Sequence, residues 1–142
     1  MTQEERNLLL RDLSARLPYE VLCKINREGF EDYEPQILKA VYDSGTCYFD
    51  YGIAGKAGAI ENNEIIPYLR PMSSMTNDER FKYLDFLKVE IQDGGYVTEN
   101  YVVRLEYIPE LIDWLNAHHF DYRGLIEKGL ALEAPKNMYK IK

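Results

Sequence analysis

The sequence predicts an α+β domain. Residues of strand type gather between about 20 and 70, amphipathic helical spacing precedes and follows that stretch, and no long linker separates the two textures. One domain over 1–142 is therefore expected, strand-rich from 19 to 70 and helix-rich from 76 to 132, with a frayed tail over 133–142. The sheet should be small and antiparallel, either open or closed into a barrel, with an N-terminal helix and C-terminal helices packed on it. With 46% hydrophobic and 29% charged residues, the chain has enough apolar surface to leave the disordered class.

Each element has a local reason. Thr2 is a helix start signal, Glu4 and Glu5 suit the positive end of the dipole, and Leu9, Leu13 and Leu17 recur every fourth residue with Leu10 beside them. Pro18 stops that helix. Strand character follows at Val21–Ile25, Ile37–Tyr42 and Thr46–Tyr51, with Asp43-Ser44-Gly45 as the hairpin turn between the last two. Another strand is expected at Glu64–Leu69, where Pro67 and Pro71 point to an edge or a terminus.

Thr76 followed by Glu79 fits a capping box, and Phe81, Leu84 and Leu87, widened by Tyr83 and Phe86, predict a helix from about Asn77 to Lys88. Asp93-Gly94-Gly95 breaks the chain, and Tyr96–Tyr107 has strand composition with weak alternation. Pro109 suits a first helical position, and the spacing of Ile108, Leu111, Ile112 and Leu115 predicts a third helix to about His118. Asp121 can cap a fourth, short helix carrying Tyr122, Leu125 and Ile126, closed by Gly129 or Pro135.

Composition narrows the function classes. The net charge of −7, from 24 acidic and 17 basic residues, argues against a phosphate-backbone partner, although Lys136, Lys140 and Lys142 form a basic end. No apolar run approaches the roughly 18 residues of a membrane span. The polar opening lacks a signal peptide's apolar stretch, so the expectation is a cytoplasmic protein with no membrane partner and with Cys23 and Cys47 reduced.

The sites the residues could build are few. His118 and His119 with Asp121, joined by Glu127, are metal-ligand types and give the alternative of a small metal-dependent hydrolase or nuclease. Adjacent histidines on a helix point different ways, and Asp121 already reads as a cap, so no metal and no cofactor is expected. Gly52-Ile53-Ala54-Gly55-Lys56-Ala57-Gly58 fails as a P-loop, having two residues between its first glycines and Ala57 after the lysine; it reads as a hairpin or loop. Arg70, held between prolines, can bind an anion or carboxylate, or pair with an acid of its own chain. Arg123 beside Tyr122 offers the same choice, which makes Arg70, Arg123 and Tyr122 the candidate binding residues and leaves no candidate catalytic set. The acidic groups Glu4-Glu5, Glu31-Asp32-Glu34 and Glu61-Asn62-Asn63-Glu64 allow a further alternative, an acidic nucleic-acid mimic or inhibitor.

Two blocks, Pro67–Thr76 (PYLRPMSSMT) and Asp113–Leu132 (DWLNAHHFDYRGLIEKGLAL), resemble segments of small uncharacterised proteins of phages, prophages and mobile elements of gut Bacteroidetes. They make up about a fifth of the chain. The resemblance implies a bacterial or phage setting and brings no established activity or catalytic residues. Joined to the acidic charge and the 12 tyrosines, whose rings suit interfaces, it leads to the expectation of a non-enzymatic accessory or interaction protein with a protein partner.

Overall fold

The computed structural model describes residues 1–49, 56–60, 63–90 and 109–139. Its architecture is α+β: an N-terminal helix, an open six-stranded and mostly antiparallel sheet, and further helices. Of the two forms expected, open or closed into a barrel, the sheet among the described residues takes the open one.

Helix α1 (Gln3–Arg16) starts at a reciprocal cap. The Glu5 N–H donates to the Thr2 hydroxyl at 3.1 Å, and the Thr2 N–H donates to the Glu5 carboxylate at 2.9 Å. Those bonds hold the exposed Glu5 carboxyl below its usual range. Pro18 lies in a 3₁₀ turn, Leu17–Tyr19, that follows the last α-helical residue. The buried stripe of α1 is Leu9, Asp12, Leu13 and Arg16; Leu10 and Leu17 are half-buried. Two charged residues thus occupy places that an apolar reading of the helix passes over.

The strands are β1 (Leu22–Ile25), β2 (Gln36–Val41), β3 (Thr46–Phe49), β4 (Lys56–Ala59), β5 (Ile65–Leu69) and β6 (Leu132–Glu133), in the spatial order β4-β3-β2-β1-β5-β6. Alternation puts Cys23, Ile25, Cys47, Phe49, Ile65 and Leu69 on the face that meets Leu9 and Leu13 of α1. The Asp43-Ser44-Gly45 turn closes β2 onto β3, with Gly45 at φ +90°. Part of the expected glycine loop is strand β4. Gly58 pairs with Cys47, and a Cβ there would lie 3.0 Å from Glu64 Cβ and 3.1 Å from Arg27 Cδ, so a side chain at this position would press on the Arg27–Glu64 ion pair.

Strand β5 is not an edge strand; it lies between β1 and the two-residue parallel β6. Pro67 is tolerated because the bond from the Asn26 N–H to the Glu64 carbonyl fixes the alternation of the ladder, so that Pro67, opposite Cys23, falls at a position where β1 needs no N–H from β5.

A 3₁₀ turn at Met72–Ser74 leads into α2 (Asn77–Glu90), and α3 spans Pro109–Ala117. Together they carry a second apolar cluster of Leu111, Leu115 and Phe120, flanked by Met75, Tyr83, Phe86 and Trp114. Phe81 departs from the expected face: it is 68% exposed, while Glu79, two residues earlier, is buried. The fourth helix is corrected to a single capped turn. Both Asp121 oxygens accept backbone N–H groups, from Leu125 at 2.8 Å and Ile126 at 3.0 Å, but Gly129 at φ +74° reverses the chain before a second turn can form. Of the tail expected to fray, the described residues up to 139 are joined to the sheet through β6, the Ala134 N–H and the Tyr139 hydroxyl. The expected break at Asp93-Gly94-Gly95 and strand at Tyr96–Tyr107 lie outside the described residues, as do Gly52 to Gly55 and positions 140–142.

Candidate functional site

The candidate binding residues converge on the end of α3. Helix α3 stops in a Schellman arrangement, in which the His119 N–H donates to the Asn116 carbonyl and the Phe120 N–H donates to the Leu115 carbonyl. That motif calls for a left-handed residue, commonly glycine; here it is His119, at φ +62°. The turn sends Phe120 into the core and aligns it with Arg70: the Arg70 N–H donates to the His119 carbonyl and the Asp121 N–H to the Arg70 carbonyl, each at 2.8 Å. The blocks Pro67–Thr76 and Asp113–Leu132 therefore lie side by side.

Arg70 finds its acid within the chain. Its guanidinium stacks on the Phe120 ring at 4.2 Å and forks onto Glu79, with Nη1 to Oε2 at 2.8 Å and Nη2 to Oε1 at 2.7 Å. Glu79 also accepts the Thr76 N–H at 2.9 Å while its own N–H donates to the Thr76 hydroxyl at 3.2 Å, completing the expected capping box. Burial alone would raise the Glu79 carboxyl. The Arg70 hydrogen bonds, the Thr76 N–H and the Arg70 charge outweigh it and hold the group at about 2.

Arg123 likewise meets a carboxylate of its own chain. Its Nη1 lies 2.8 Å from Asp12 Oδ1, while Arg16 Nε donates to Asp12 Oδ2 at 2.8 Å and Arg16 Nη2 donates to the Phe120 carbonyl. Asp12 and Arg16 are fully buried, so the network ties α1 to the loop after α3. Tyr122 has both guanidinium groups over its ring, and its hydroxyl donates to Asn116 Oδ1 at 2.8 Å. Sequence reasoning missed Asp12 and Arg16. The available signal was an opposite-charge pair four residues apart, on the same stripe as Leu9 and Leu13.

The histidines separate. His118 packs among Trp114 and Phe120, with Nδ1 2.9 Å from the Trp114 carbonyl. His119 is buried, and its ring stacks on Tyr139 with centroids 3.6 Å apart. Burial first, then the charges of Arg16, His118 and Arg70, lowers His119 to about 3, so the ring is neutral at pH 7. Its Nδ1 and Arg16 Nη1 are buried without a hydrogen-bond partner among the described residues. With Asp121 occupied as a cap, the alternative metal set is not brought together, and among the described residues no three His, Cys, Asp or Glu side chains are placed to hold an ion. Cys23 and Cys47 are buried, and burial pushes the Cys23 thiol well up, away from the reactive thiolate.

Two hollows flank Tyr139. One, of about 750 Å³, lies between Arg70–Thr76 and the 133–137 segment; the other, of about 390 Å³, is lined by Tyr19, Glu20, Arg70, His118, His119 and Tyr139. In the first, Arg70, Ser74 and Thr76 are hydrogen-bonded within the chain, whereas His119 Nδ1 in the wall of the second has no partner among the described residues. None of the described helices is long and apolar enough to cross a membrane. No protein-family model matches the chain, and neither a curated protein nor a solved structure is detectably similar to it.

Proposed function

We propose that this is a non-enzymatic accessory protein of a phage or mobile element that acts inside the cell through contacts with another protein. The observation that carries the reading is the outward placement of Phe81, 68% exposed on a helix whose neighbouring rings Tyr83 and Phe86 are packed. An isolated exposed ring means little, but Tyr42 at 54% and Tyr33 at 38% add to the aromatic surface. The net charge of −7 suits a partner with a basic face. The phage setting rests on the resemblance of the Pro67–Thr76 and Asp113–Leu132 blocks.

The test is capture by the tagged full chain from infected and uninfected bacterial cells, identified by mass spectrometry, beside a Phe81→Ser variant. One protein retained in near-equal amount by the wild type and lost with Phe81→Ser is expected. No protein retained, or retention unchanged in Phe81→Ser and in Tyr42→Ser, would overturn the reading.

A further inference from the structure

The C-terminal segment enters the sheet in an unusual way. The β1–β5 register pairs Ile25 with Ile65, Lys24 with Ile66 and Cys23 with Pro67, and one step further would set Leu22 against Tyr68. The Tyr139 hydroxyl stands in that place. It accepts the Leu22 N–H at 2.8 Å and donates to the Tyr68 carbonyl at 2.8 Å, closing the ladder with a side chain. On the other side of β5, β6 runs parallel to Tyr68 and Leu69, and the Ala134 N–H donates to the Leu69 carbonyl at 2.7 Å.

Between these two anchors the segment holds little. Leu132 and Glu133 are exposed, as are Pro135, Lys136 and Asn137, and the larger hollow separates 133–137 from the Arg70–Thr76 wall. Main-chain bonds at one end and one tyrosine at the other are the features of strand addition to a sheet edge, in which backbone pairing supplies affinity and a side-chain pocket supplies selectivity.

We propose that the flank of β5 now covered by β6 and the Leu22–Tyr68 gap form a peptide-docking track, in which residues 132–139 sit as a displaceable intramolecular occupant. The partner it fits is a polypeptide segment that pairs parallel to β5 over two residues, turns as Pro135–Met138 does here, and carries a tyrosine five residues after the N–H that meets Leu69. The chain's own segment has that form and is seated there, with its ring on His119. The proposal rests on the protein-contact reading above and names a site and a partner class for it.

The probe is a fluorescent synthetic peptide of residues 131–139, added to the full chain carrying Tyr139→Ala and to the wild type, with binding read by anisotropy. A tethered occupant competes at an effective concentration near the millimolar range, so binding to Tyr139→Ala at least about tenfold tighter than to wild type is expected. A peptide with phenylalanine in place of its tyrosine should bind several-fold more weakly. Equal binding to both chains, no saturable binding, or indifference to the hydroxyl overturns the proposal. A wild-type dimer that exchanges this segment also overturns it, giving the track to a second copy. If Tyr139→Ala loses its fold by circular dichroism, Tyr139→Phe, which keeps the ring and removes the hydroxyl, takes its place with the same expectations. Peptide binding without any captured protein would remove the functional reading and leave the track; capture through Phe81 without peptide binding would do the reverse.

Discussion

Replacing Glu79 by glutamine tests whether the joint between β5 and α2 is held by charge or by shape. The amide keeps the length of the side chain and one oxygen for the Thr76 N–H, but it cannot accept the Arg70 fork at both oxygens. The carboxyl is about 2 in the fold, against a reference of 4.5. At about 1.4 kcal/mol for each pH unit, that difference corresponds to roughly 3 kcal/mol of folding free energy, and the side chain, only 8% exposed, is little screened. The sign follows from the depressed value: the stabilisation is complete above pH 4.5 and is lost as pH falls towards 2, because the unfolded chain takes up the proton first. Urea unfolding should therefore show Glu79→Gln weaker than wild type by about 2 to 4 kcal/mol at pH 7, with the gap narrowing steadily between pH 4.5 and 2.5. For a domain whose total stability is about 5 to 15 kcal/mol, this is a large fraction. A gap of the same size at pH 7 and pH 2.5 would refute the electrostatic account and leave only the geometry of the cap.

Three further outcomes are expected. Leu13→Ala and Leu115→Ala, one in each apolar cluster and both fully buried, should each cost about 2 to 5 kcal/mol in urea unfolding, and losses under about half a kcal/mol at both would mean that the helix faces are misplaced. Asp12→Ala leaves Arg16 buried and Arg123 unpaired and should cost about 3 to 5 kcal/mol, much of it recovered in an Asp12→Leu/Arg16→Met double variant; a single-variant loss under about 1 kcal/mol would contradict the network. His119, at about 3 in the fold, leaves the unfolded chain with the higher proton affinity, so stability should fall as pH drops from about 6.5 towards 3, and less steeply in His119→Asn; a ring that titrates near 6.5 by NMR would show that it is solvated.

What the sequence made legible was local. The Thr2 cap, Pro18, the Asp43-Ser44-Gly45 turn, the Thr76–Glu79 box and Pro109 each act within about one turn of chain, where residue type alone fixes which backbone groups are satisfied. The α+β class followed from those signals and from periodicity. What stayed hidden depends on partners far along the chain. Arg123 meets Asp12 across 111 residues, and Tyr139 meets Leu22 across 117; no spacing rule reaches that distance. Burial of Asp12 and Arg16 is costly without Arg123 and the Phe120 carbonyl, both far along the chain, and a two-residue strand such as β6 has no period to read.

The 133–139 segment sharpens the point. A short polar stretch at the end of the chain should fray unless something ties it down, and the composition between Pro135 and Asn137 offers no apolar tie. Its one large ring carries a hydroxyl, and a tyrosine that buries its ring must also find a partner for that hydroxyl. Burial raises the Tyr139 hydroxyl, which therefore stays protonated and can donate to Tyr68 while it accepts from Leu22. A phenylalanine would fill the same space on His119 but would leave the Leu22 N–H and the Tyr68 carbonyl facing each other across a gap that neither can bridge. The requirement for tyrosine at this position thus comes from two backbone groups elsewhere in the chain, which is why it could be understood only once β1 and β5 were placed.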